Sequence, residues 1–264
     1  MVRSTVDFFQ VAYTAAKTLL SVHVLAAIRI IAIFFYFLII NLLLIAVCIV
    51  RPFHRNNVHI AGQVYSTMSF FLGTKLVMRT SGAIQADVPY VFIANHQNSY
   101  DLLTICKAAL PGVVTVGKKS LKWIPLFGQL YWLSGNILID RKNTGKARDT
   151  LSLTAEKMRE RRLSVWFFPE GTRSYGRGLL PFKTGAFRLA MNTNEKIVMV
   201  CASSTHKTIK LNRWNNGTVL IDILPPLTLD DSKTAKEWAE HCHTIMKQHI
   251  EKLDDEVAQL AATR

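Results

Sequence analysis

Residues 95–101 read Asn-His-Gln-Asn-Ser-Tyr-Asp, which sets His96 and Asp101 five positions apart where an apolar run (90–94) gives way to a helix start. A histidine with one ring nitrogen held by a carboxylate is a general base aimed at a hydroxyl or an amine. If a helix opens near Ser99 or Tyr100, Asp101 falls in its first turn and reaches back to the imidazole, leaving Nε2 to take a proton. Ser99 and Cys106 lie close by, but neither occupies a G-x-S-x-G elbow. The economical nucleophile is therefore a hydroxyl of the substrate. The bland alternative is a loop histidine beside an aspartate that merely favours a helix dipole.

A second stretch, Phe-Pro-Glu-Gly-Thr-Arg-Ser at 168–174, follows a strand-like run. Gly171 permits a tight turn with backbone N–H groups exposed, and Arg173 offers a fork-shaped donor for phosphate. Glu170 either orients Arg173 or accepts a hydrogen bond from substrate. Arg141 follows the run 137–139, and Lys118 and Lys119 follow 113–116. Ligands of open α/β sheets gather at the carboxyl ends of strands, so these cations can converge with His96 despite their separation in sequence. Taken singly, Arg141 reads more readily as the surface salt-bridge partner of Asp140, and one of the two lysines as a solvated side chain. The aromatic stretch 123–133 either walls a channel for an acyl chain, seats the domain at a headgroup layer, or packs in the core. His241 and His243 stand two apart, which diverges on a helix, so no metal site is expected.

The chain has 264 residues, with 32 Lys+Arg against 18 Asp+Glu, a net charge of +14. That excess predicts anionic partners. Half of the residues are hydrophobic, which suits a membrane-associated enzyme, and no nucleic-acid module is visible, so nucleic acid is not an expected partner. Four dispersed cysteines without a CxxC pair suit a reduced, cytosol-facing domain.

Residues 30–50 are uncharged, interrupted only by Asn41 and closed by Arg29 and Arg51. The length suits a helix across a hydrocarbon core of about 30 Å. A crossing helix and one dipping into a single leaflet both fit; a signal peptide fits poorly, because Asp7 and many apolar residues precede the run. The stretch 8–28 reads as an interfacial helix packed against the longer one. Basic residues flank both ends, so charge bias does not set an orientation.

Beyond a Pro-containing break at 51–57, residues 60–73 suggest a helix. Strands are expected at 76–80, 90–94, 113–116, 137–139, 164–168, 197–202 and 219–224. Helices are expected at 100–109, 146–161, 185–192 and 233–260. Strands alternating with helices predict an α/β fold with a largely parallel central sheet flanked by helices, plus an N-terminal helical membrane anchor. Residues 1–57 form the membrane-associated part and 58–264 the catalytic domain.

These blocks, in order NHQNSYD, GNILIDR, FPEGTRS and EKIVMVCA, together with RGLLPFKTGAF and the Leu-Pro-Pro at 224–226, resemble the glycerolipid acyltransferase family, specifically its bacterial 1-acyl-sn-glycerol-3-phosphate acyltransferases. The resemblance covers nearly everything after residue 50. It implies transfer of a fatty acyl group from acyl-carrier protein or acyl-coenzyme A, with no other cofactor, to the sn-2 hydroxyl of lysophosphatidic acid. Phosphatidic acid for phospholipid biosynthesis would be the product. It implies His96 as base and Asp101 as its orienting partner, without an acyl-enzyme. Arg141, Glu170, Gly171, Thr172 and Arg173, with a lysine of the pair Lys118 and Lys119, would bind the acceptor. It also implies a bilayer partner, with the chain at the bacterial inner membrane and its catalytic domain facing the cytoplasm. One departure stands in the fourth block: Met199 and Cys201 occupy a neighbourhood that usually carries a proline. A thioesterase, a phosphatidate-binding protein and a glycerol-3-phosphate acyltransferase are the rivals.

Overall fold

The computed structural model describes residues 2–140, 144–206 and 208–263. Helix α1 runs without a break over Val2–Val50. The two helices that the sequence separates at about residue 29 are thus one, because nothing from 2 to 50 is glycine or proline. Helix α2 follows at Asn57–Ser66, continued by a 3-10 turn at Thr67–Phe70.

Seven strands then make one sheet: β1 Thr74–Thr80, β2 Val91–Ala94, β3 Val113–Lys118, β4 Ile137–Ile139, β5 Ser164–Phe167, β6 Ile197–Ala202 and β7 Gly217–Ile223, in the order β1-β7-β6-β2-β5-β3-β4. The five strands β6, β2, β5, β3 and β4 are parallel; β7 turns antiparallel to β6 and carries β1 parallel to itself. The expected α/β class and largely parallel sheet are therefore present. Strands β2, β5 and β6 are buried at every position, as strands covered on both faces must be.

One face carries Phe92, Ala94, Trp166, Val198 and Val200 against α1, α2 and helix α3 (Phe127–Leu133). The other carries Val91, Ile93, Val165, Met199 and Cys201 against α4 (Thr144–Arg161), α5 (Gly185–Thr193) and α6 (Ala235–Ala262). Helix α1 belongs to the first of these cores: Ile40, Leu44 and Cys48 are buried in it. Arg29 is also buried, donating to the carbonyls of Leu211, Arg213 and Trp214 just before β7.

Helix α6 starts with a capping box, in which the Thr234 hydroxyl accepts from the Glu237 N–H and the Glu237 carboxylate accepts from the Thr234 N–H. Farther along, His249 and Arg79 both grip Asp222 of β7, at 2.8 and 2.6 Å, while Arg79 also holds Glu256 at 2.7 Å. Burial pushes the Asp222 carboxyl up, but Arg79 and His249 outweigh it and hold the group below the usual range. Its contribution to stability is therefore complete above the ordinary aspartate pKa and fades as pH falls through the depressed value. Asp222→Ala, leaving His249 unpaired and Arg79 with Glu256 alone, should lower stability by about 2 kcal/mol. A denaturation midpoint unchanged at neutral pH would refute this clasp.

Candidate active site

Alternation along β2 decides where the first motif points. Phe92 and Ala94 face the α1 side, Val91 and Ile93 the α6 side, and a period of two continued past the strand sends Asn95 with the latter and His96 with the former. Asn95 extends the ladder beyond the strand: its amide donates to the Ala202 carbonyl and accepts from the Ala202 N–H, both at 2.9 Å. Gln97 donates to the Ser203 carbonyl at 2.9 Å and accepts from the Thr205 N–H at 2.7 Å, while Asn98 donates to the Thr205 hydroxyl at 2.9 Å. The polar residues around His96 thus stitch its loop to the end of β6.

Asp101 stands in a 3-10 turn at Ser99–Leu102 that Asn98 caps, accepting from the Tyr100 N–H at 2.8 Å. One oxygen of Asp101 accepts from His96 Nδ1 at 2.6 Å, from the Gln97 N–H at 2.7 Å and from the Asn98 N–H at 3.2 Å. An ionised carboxylate only accepts, so Nδ1 carries the proton and Nε2 of the neutral ring presents a lone pair. Phe168 stacks on the imidazole, with ring centroids 4.1 Å apart and planes at 18°. The ring is 20% exposed, open enough for a substrate to approach.

The helix expected at 100–109 is instead two 3-10 turns, Ser99–Leu102 and Ile105–Ala108. Side chains take the carbonyls that helical amides would have used: Thr104 donates to Tyr100 O and Cys106 to Leu102 O. Burial, with the charge of Asp101, pushes the Cys106 thiol up far enough to remove it as a nucleophile.

The turn after β5 comes to the same edge because β5 pairs with β2, Phe167 beside Ile93. The N–H groups of Ser174 and Tyr175 donate to the carbonyls of His96 and Gln97, each at 2.8 Å, so the two motifs form one double loop. Glu170 is held between two backbone donors. It is 3% exposed, and its two oxygens accept from the N–H of His96 at 2.6 Å and of Leu180 at 3.0 Å. The protein's own backbone thus donates to both carboxylate oxygens, and Glu170 fixes the main chain of His96. Burial pushes its carboxyl up, and those two donors pull it partly back.

Gly171 adopts φ +71°, and its N–H closes the turn onto Phe168 instead of standing exposed. A Cβ there would lie 2.7 Å from the Lys183 ammonium, so glycine is what lets this cation lie along the turn. Thr172 is exposed. Arg173 is steered by Ser99 and Tyr175, each 3.3 Å from its guanidinium, which brings it to the loop of His96. Lys118 and Lys119 are exposed at the carboxyl end of β3, the strand beyond β5. Lys118 registers with Ile139, whose side chain belongs to the α4 face, and Lys119 opens the next turn. Arg141 lies outside the described residues.

Phe168, Lys183 and the Asn95–Gln97–Asn98 stitching were not assigned from sequence. Lys183 lies within the RGLLPFKTGAF block, the one signal that pointed to it. The aromatic stretch 123–133 divides: Phe127 and Leu130 join the core, while Trp123 and Trp132 face outward at 75% and 53% exposure. His243 donates to the Leu179 carbonyl at 3.2 Å and His241 packs on Trp238; among the described residues no cluster of three metal-binding side chains occurs.

The acyltransferase family model matches residues 75–203. The chain is similar to the 1-acyl-sn-glycerol-3-phosphate acyltransferase of Salmonella typhimurium, 46% identical over 82% of this chain and 89% of that one. The protein of that name from Escherichia coli is likewise 46% identical, over 81% and 89%. In structure it resembles the 1-acyl-sn-glycerophosphate acyltransferase of Thermotoga maritima, with a TM-score of 0.67 and 23% identity over 86% of this chain and 97% of that one. That likeness establishes a common fold.

Proposed function

Because the chain belongs to the 1-acyl-sn-glycerol-3-phosphate acyltransferase family, we propose that it moves a fatty acyl group from an acyl-carrier-protein or coenzyme A thioester to the sn-2 hydroxyl of lysophosphatidate. The product, phosphatidate, feeds phospholipid synthesis. The observation that carries the reading is the 2.6 Å contact between His96 Nδ1 and Asp101, with Arg173 tethered to Ser99 of the same loop.

His96 Nε2 takes the proton of the sn-2 hydroxyl as its oxygen attacks the thioester carbonyl. The tetrahedral intermediate collapses with cleavage of the carbon–sulfur bond, and the departing thiolate takes the proton from the imidazolium. Asp101 holds the tautomer and stabilises the imidazolium. Arg173 and Lys183 receive the acceptor phosphate, a placement that sets the hydroxyl beside the base. Of the lysine pair, Lys119 is the better situated, since register puts Lys118 on the face away from His96. By the family resemblance Arg141 joins them.

The chain works at a membrane surface, with the catalytic domain on the cytoplasmic side of the bacterial inner membrane. Support comes from His23–Val50, the helix long and apolar enough to cross a bilayer. A seat within one leaflet accounts better for its contacts. From Arg29 to Cys48 one side of α1 lies on the domain, while Ile31, Phe34, Phe35, Leu42 and Leu43 point outward. A helix bound lengthwise to a charged domain has lipid on one side only.

The test is thiol release from acyl donor with a palette of lyso-lipid acceptors in detergent. Release that requires lysophosphatidate supports the reading; equal release without acceptor means a thioesterase. Arg173→Ala should raise the KM for lysophosphatidate about 10- to 100-fold, the worth of a charge-assisted pair. An unchanged acceptor KM would remove Arg173 from the phosphate site.

A further inference from the structure

At the edge of the sheet opposite His96, a cavity of about 530 Å³ opens between the end of α1 and the last turn of α4. Its walls include Phe53 and Trp132, packed edge to face at 5.0 Å, and its charged groups are Lys157 and Arg161. No carboxylate lines it. Lys157 has no partner among the described residues, and Arg161 uses one nitrogen on the Phe53 carbonyl at 2.6 Å, leaving the rest of its fork available. We propose that this cavity binds the phosphate of an anionic glycerophospholipid, at a site separate from that of the acceptor.

Its position names a lipid over a soluble anion. Helix α1 runs along the domain from Arg29, near the start of β7 on the catalytic edge, to Val50 beside this cavity, roughly 32 Å at 1.5 Å per residue. Ile49 and Val50 are 65% and 86% exposed, and Trp132 is half-exposed next to them. If α1 lies in the interface, as proposed above, both ends of the sheet reach the same headgroup layer, with Trp214 at one end and Trp132 at the other. The cations then meet phosphate while Phe53 and Trp132 meet glycerol and the first methylenes. Six residues of β3 separate this mouth from the catalytic edge, about 20 Å, too far for the bound lipid to be the acylated one.

The inference rests on the one-leaflet seat of α1, and its test is independent of catalysis. Full-length protein, its acceptor site filled with short-chain lysophosphatidate, is transferred from micelles of phosphatidylglycerol or phosphatidylcholine and its retained lipids are counted by native mass spectrometry. A single phosphatidylglycerol should be held, with phosphatidylcholine absent. Lys157→Gln should weaken retention about fivefold and Lys157→Gln/Arg161→Gln about 30-fold, with acyl transfer in detergent unchanged. Lys157→Gln alone is decisive where the double variant fails to fold. Equal retention by Lys157→Gln, or equal retention of phosphatidylcholine, overturns the site. Displacement by free glycerol phosphate as readily as by lipid would make it a soluble-anion site and overturn the lipid assignment. A lost headgroup site with lysophosphatidate-dependent thiol release intact leaves the acyltransferase reading standing, so the two failures are distinguishable.

Discussion

His96→Ala is expected to lower the rate of acyl transfer by about 10³- to 10⁴-fold while the protein still folds and still associates with membranes. The chemical loss is complete at this position, because the described site holds no second group poised to accept the hydroxyl proton: Cys106 is half-buried, with its thiol pushed up by desolvation. The fold should persist because the loop does not depend on the ring. Asp101 keeps the N–H donors of Gln97 and Asn98, and the His96 main chain keeps Glu170 and Ser174. What disappears is the contact with Phe168 and one hydrogen bond. The measurement is single-turnover thiol release beside a thermal melt in the same detergent. Turnover within a factor of about ten of wild type would refute His96 as the base, since general-base catalysis contributes at least about 10²-fold.

Deleting residues 1–50 should yield aggregate, not a released soluble domain. An anchor that only tethers can be removed; α1 also completes a core. Ile40, Leu44 and Cys48 are buried, and Ile33, Tyr36 and Phe37 pack against the same cluster. At about 1.5–3 kcal/mol for each fully buried large apolar side chain, the loss approaches about 10 kcal/mol, comparable with the whole stability of a typical domain at about 5–15 kcal/mol. Polar groups are stranded as well. Tyr65 loses Asn41, its 2.8 Å partner, and three carbonyls near residue 213 lose Arg29. The check is size-exclusion chromatography and circular dichroism of the truncated chain, with and without detergent. A soluble monomer with native ellipticity would mean that the contacts of α1 are dispensable.

The same helix shows where reading along the chain reaches its limit. Its apolar length was visible, yet Arg29 looked like the charged end of a membrane segment. In the structure it is a buried clamp on residues 211–214, contacts 182 to 185 positions away. Glu170 is a similar case. Its motif marked it as functional, but the choice between contacting substrate and holding backbone depends on Leu180 and His96 arriving at its two oxygens.

The local patterns, by contrast, were strong. Short apolar runs located each of the seven strands to within about two residues, most clearly in β2, β5 and β6, where burial on both faces leaves little room for polar side chains. The five-residue spacing of His96 and Asp101 fixed their pairing, because a capped turn brings those two positions together through local geometry alone. The sequence by itself thus determined the α/β class, the pairing of His96 with Asp101, and the basic, half-hydrophobic character of the chain. Only the tertiary structure decided that β5 lies beside β2, so that Arg173 meets the loop of His96 and Lys183 lies along the adjoining turn. It also decided that α1 is part of the core, and that cations gather beside its far end. Those facts arise from pairing between distant segments, set by which buried faces fit, and no local spacing encodes them.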